Sequence, residues 1–228
     1  MLSVWAVSRL VAGKDLRVEW RSRIVTNQVV PFAALMMVMF AFALDSDTVL
    51  KRVAPGLVWL AAMFSLLVIV QRAFAVETAD GALDALRVAG VRGAGIFLGK
   101  AMSLAAQLAV LELILLGAAI VLYDTQLVGS GVTLLICTYL TATAGLAFIG
   151  TLYGGLAAGA RGRETLLPLL MLPVAAPVLI GATRATEAAL GTQGATTGDG
   201  WPWIGLLLLF AVVFGAGGSL AFGSLIDE

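Results

Sequence analysis

Three carboxylates in the stretch 72–86 stand at a spacing that can carry an interaction. Glu77, Asp80 and Asp84 fall at i, i+3 and i+7, which on a helix makes one acidic face. Leu83 and Leu86 add apolar contacts, and Gly81 permits a bend or a close approach. Such an amphipathic element reads either as a docking surface or as a solvated loop helix. A fourth carboxylate, Glu112, stands alone in an apolar run with Gln107 near it. An ionisable group at that depth is by default a functional hypothesis; the plain alternative is a protonated acid, or one bonded to a neighbouring helix. Other chemical equipment is missing. The chain has no histidine, which removes the commonest general base and the commonest metal and haem ligand. Residues 154–163 read GGLAAGARGR and lack the Gly-Lys-Ser/Thr ending that holds phosphate and magnesium. The chain is therefore not expected to hydrolyse ATP alone. Cys137 is the single cysteine, so neither an intrachain disulfide nor a zinc cluster is expected.

The elements that must position these groups are long and apolar. Hydrophobic residues make up 61% of the chain and charged residues 12%, with a mean hydropathy of +1.02; a globular domain carries about 25% charged residues. About 20 apolar residues span a bilayer core as a helix. Spans are expected near 24–44, 53–71, 97–122, 131–153, 165–183 and 202–224, giving an all-α membrane protein in one six-span domain, 1–228. Net charge is zero, so no basic field points to nucleic acid. Eleven of the fourteen Lys and Arg residues fall on one side if the N-terminus is cytoplasmic, and three (Lys51, Arg52, Arg184) on the other. The positive-inside rule then puts both termini in the cytoplasm.

Residues 1–23 do not read as a secretory signal, because charges are scattered through them. Leu2, Trp5, Leu16 and Trp20 share one stripe of a helix, and Lys14, Arg17 and Arg21 another. Tryptophan beside a basic face suits an interfacial helix on the headgroups. The fifth span contains Pro168, Pro173 and Pro177. Proline removes a backbone donor and kinks a helix, which either shapes packing or opens a substrate path. Residues 183–200 read as an exposed loop, with a short helix over 185–190. Gly150/Gly154 and Gly155/Gly159 have GxxxG spacing, which permits close helix packing.

The acidic element is not isolated. Glu77, Gly81, Leu83, Asp84 and Leu86 reproduce a Glu-x-x-x-Gly-x-Leu-(Asp/Glu)-x-Leu pattern. Ala54-Pro55-Gly56 with Trp59 precedes it, then Arg72 and Phe74, and the Pro168, Pro173, Pro177 block follows. Together these resemble the CcmB family, the cytochrome c maturation or haem exporter protein B family, over nearly the whole chain. Gln71 and Ala89-Gly90-Val91 depart from the pattern where an acid and prolines are usual. The resemblance implies an ABC-2-type permease architecture in the bacterial cytoplasmic (inner) membrane. It implies a non-catalytic subunit whose 72–86 segment couples to a separate cytoplasmic ATPase holding ATP-Mg. It further implies haem-handling membrane partners, a haem chaperone and a second permease copy. Haem is expected to be handled by the complex, with no cofactor or metal in this chain.

Two other functions fit the residues. One is an ion-coupled secondary carrier using Glu112, although the paired broken helices of such carriers are not visible. The other is a membrane scaffold that passes ATPase motion to partners without passing a substrate.

Overall fold

The computed structural model describes residues 3–44, 46–79, 92–125, 129–158 and 163–227. Among them every regular element is helical. Seven α-helices follow in order: α1 (Val4–Ser22), α2 (Val30–Ala43), α3 (Asp47–Ala79), α4 (Gly93–Leu122), α5 (Val132–Ala158), α6 (Arg163–Leu190) and α7 (Thr197–Asp227). Six helical stretches are long and apolar enough to cross a membrane, the first being Val25–Ala43, formed by α2 and the π-helical turn before it. The chain is thus an all-α, multi-pass membrane protein.

Ser3 starts α1 by accepting a hydrogen bond from the Ala6 N–H at 3.2 Å, which satisfies one of the orphan donors of a first turn. Arg23 ends it in the left-handed region, φ 52°, with its N–H on the Glu19 carbonyl at 2.7 Å. The Glu19 carboxylate then accepts from the Val25 N–H at 2.6 Å. One acidic side chain therefore binds the start of the next segment, a π-helical turn over Val25–Val29 that runs into α2.

The middle of the fold is α3, buried along most of its length, from Ala54 to Phe74. Packed around it are α2, α4, α5 and α6, while α7 lies across α5, α6 and α4. Small residues set the distances. Gly150 and Gly154 on α5 face Val70 and Phe74 of α3, and Gly155 faces Phe222 of α7. The ring of Phe97 occupies the space over Gly218, and it stacks on Phe148 at 5.9 Å and tilts against Phe222 at 5.5 Å. Without a hydrophobic drive between helices in lipid, such close contacts hold the bundle together.

One expectation needs correction. Residues 185–190 are not a separate helix in a loop but the last turns of α6, with Ala185, Thr186, Ala188 and Ala189 buried; the connection to α7 is only 191–196. Helix runs continuously from Arg163 to Leu190 with all three prolines of α6 inside. The helices also outrun the expected spans: α3 extends beyond 53–71 at both ends, and α4 begins at Gly93.

Candidate functional site: a polar joint at the end of α3

Four elements meet where the acidic segment leaves α3. The first is α1. Its Val7, Ser8, Val11 and Ala12 are buried against α4, where Gly95 and Gly99 stand one turn apart. A Cβ built on Gly99 would lie 2.6 Å from Val11 Cβ and 2.7 Å from the Ser8 carbonyl oxygen, and one on Gly95 would lie 2.7 Å from Val7 Cγ1. Two glycines thus form the seat of the helix. The Trp5, Leu16, Trp20 stripe is exposed, on the side turned away from the protein.

Lys100, one residue past that seat, is the unexpected member. It lies in α4 at 2% exposure. Its ammonium pairs with Asp15 of α1 at 3.3 Å and sits 4.7 Å from the centre of the Phe74 ring. A buried cation needs such partners, because desolvating a lone charge is costly. Asp15 is also held by Lys14 at 3.1 Å. Phe74 in turn is wedged: a Cβ at Gly154 would come within 2.5 Å of its ring. The base of α3 is therefore gripped by α5 on one side and by the Lys100–Asp15 pair on another.

Arg72, two residues earlier and exposed, donates to Gln28 Oε1 at 2.9 Å. This ties α3 to the π-helical turn. Between these groups lies a cavity of about 210 Å³, lined by Asp15, Glu19, Val25, Arg72, Phe74 and Lys100 among others. The arrangement is a joint that links α1, α2, α3 and α4 through paired charges and one aromatic wedge.

Of the expected segment, Arg72 and Phe74 stand in this joint, and Glu77 lies on the last turns of α3. Asp80, Gly81, Leu83, Asp84 and Leu86 lie outside the described residues. The other singled-out residues are elsewhere. Pro55 and Gly56 lie within α3, Gly56 against Thr183 of α6. Trp59 is buried and donates from Nε1 to Thr186 Oγ1 at 2.9 Å, with its ring 5.1 Å from that of Tyr139. Pro168 and Pro177 are half-buried and Pro173 is exposed. Glu112, at 1% exposure on α4, accepts a hydrogen bond from Thr143 Oγ1 of α5 at 2.5 Å.

Sequence reasoning missed Lys100 by counting it with the loop cations. A signal was there, since a lone lysine two turns into an apolar run that starts at Gly93 asks for an acidic partner.

Residues 6–224 match the family described as CcmB protein. The chain belongs to the CcmB family. Among curated relatives, heme exporter protein B of Paracoccus denitrificans (strain Pd 1222) is 30% identical over 185 residues, covering 80% of this chain and 84% of the relative. Heme exporter protein B of Escherichia coli (strain K12) is 30% identical over 186 residues, covering 81% and 82%. The protein of that name from Pseudomonas aeruginosa (strain PAO1) is 26% identical over 217 residues, covering 90% and 91%. In CcmB terms, the matched region takes in α1 from residue 6 onward, so the joint lies wholly within it.

Proposed function

We propose that this CcmB-family chain is the non-catalytic membrane subunit of an ABC-type complex that serves haem export in cytochrome c biogenesis. In this reading a separate cytoplasmic ATPase binds the segment 72–86 and holds ATP-Mg, and haem is handled by the complex with membrane partners and a haem chaperone. The chain lies in the bacterial inner membrane with both termini in the cytoplasm, where the eleven-to-three split of basic residues supports the orientation. A second copy of the chain completes the permease.

One observation carries the reading. The acidic segment leaves α3 just beyond Phe74, and Phe74 is clamped between Gly154 of α5 and Lys100 of α4. A push on the segment is delivered to a wedge that contacts two further helices, with α1 attached through Asp15.

The test is genetic and spectroscopic. Cells lacking the chain should still make haem but fail to mature c-type cytochromes, and the wild-type gene should restore them. The purified chain alone, given haem in detergent, should show no stoichiometric Soret band. Normal cytochrome c in the deletion strain would contradict the assignment. A tight one-to-one haem complex lost on replacing a Met, Tyr or Cys137 would contradict the coupling role.

A further inference from the structure

A second polar site lies away from the joint, in the face of the bundle formed by α4 and α5. A groove of about 500 Å³ opens there. The small, half-buried residues Ala105, Ala109 and Ala144 form its floor. Its rim carries Leu113 and Leu140, exposed at 66% and 68%, so it opens sideways toward lipid. Three polar groups line it: Glu112, Thr143 and Tyr139. Thr143 Oγ1 binds Glu112 Oε2. Glu112 Oε1 and the Tyr139 hydroxyl, both buried, have no hydrogen-bond partner among the described residues.

We propose that this groove is the docking site for a membrane-spanning helix of a different polypeptide. That helix carries small residues on its docking face and a side-chain hydrogen-bond donor at the level of Glu112. The chemistry selects this occupant. An acyl chain fills apolar space but offers no donor, and it would leave a carboxyl oxygen and a hydroxyl unsatisfied in a low-dielectric setting. A floor of alanines lets a helix backbone come close, and polar side chains then bond across the interface. A second copy of this chain does not complement the groove. The exposed residues Leu35 and Met39 on its α2 and Leu208, Leu209, Val212 and Val213 on its α7 carry no side-chain donor, and its own Tyr139 hydroxyl is buried inside its own groove, out of reach of another. The inference deepens the reading of the chain as one subunit of a complex and rests on it, but it concerns a face distinct from the ATPase-coupling segment.

The photo-crosslinking amino acid p-benzoylphenylalanine, placed at Leu113 or Leu140 in the full chain, tests it in native membranes. Irradiation should give one adduct with another integral membrane protein. Mass spectrometry should locate the cross-linked peptide in an apolar spanning segment that contains a side-chain donor. Glu112→Gln should keep the adduct. Glu112→Leu and Tyr139→Phe should each lower its yield about threefold or more, the effect of one interhelical hydrogen bond. Tyr139→Phe keeps the ring against Trp59, so it stays informative if Glu112→Leu does not fold. The proposal is overturned by an adduct of twice the chain's own mass or by adducts with lipid alone. It is equally overturned by a partner peptide without a donor, or by yields that ignore both substitutions. Co-purification of the ATPase, measured on the same membranes, separates the outcomes: if it persists while no helix is captured, the groove assignment fails and the coupling role stands.

Discussion

At the residue scale, the Lys100–Asp15 pair decides how the joint responds to substitution, because its two members are unequally buried. Lys100 is 2% exposed and the Asp15 side chain 17%. Removing the carboxylate strips a buried cation of a partner, and removing the cation leaves a carboxylate with Lys14 beside it at 3.1 Å. Asp15→Ala should therefore destabilise the protein by on the order of 3 kcal/mol, whereas Lys100→Met, which fills the same volume against Phe74, should cost less than about 1 kcal/mol. Thermal unfolding of the two variants in detergent checks the asymmetry; equal losses would show that the pair is not the relevant contact. Charge type and depth marked Glu112 in the sequence, since no other acid lies inside an apolar run. Lys100 was not legible in the same way. Its position near a span end resembles a loop cation, and only the crossing of α1 over α4 brings Asp15, 85 residues away, to it.

At the element scale, α1 shows how far periodicity reaches. The Trp5, Leu16, Trp20 stripe was readable and is exposed, but the face that meets protein is Val7, Ser8, Val11 and Ala12. Its partner, Gly95 and Gly99, is a GxxxG pair that spacing alone did not distinguish from the others among 26 glycines. The structure separates them by what each touches. Gly99→Val should lift α1 from its seat, because Val11 Cβ and the Ser8 carbonyl already occupy that space. A cysteine at Val11, buried in the parent, should then become reactive to maleimide in detergent, in a Cys137→Ser background. Gly117→Ala is the control. Nothing lies within 4 Å of its new methyl, so it should be neutral or slightly stabilising, by up to about 1 kcal/mol, through helix propensity. Labelling of Val11 that ignores Gly99→Val would mean α1 is held elsewhere. The three prolines of α6 were legible too, but their effect was left open between packing and a path, and the helix runs through all three.

At the scale of the whole molecule, the number of spans and the class of fold were legible because lipid imposes a length and composition no other setting requires. Burial order was not legible. Nearly every span is apolar all round, so hydropathy does not reveal that α3 is central while α2 and α7 are peripheral. Orientation rests on charge, and it has a direct consequence. Membrane-impermeant maleimide added to intact cells should label a cysteine at Asp47 or Thr196 but not one at Ala82; labelling at 82 from outside would reverse the topology.

On the proposed function, the segment beyond Phe74 transmits ATPase action to the bundle. Co-purification of the ATPase with tagged wild type, Asp84→Lys and Gly81→Val tests it most directly. Charge reversal at a partly desolvated contact costs about 2 kcal/mol or more, and a β-branched side chain obstructs a bend or close approach at Gly81. Both variants should insert in the membrane at wild-type levels yet retain less than about a tenth of the ATPase. Wild-type amounts of ATPase bound to both variants would contradict the account.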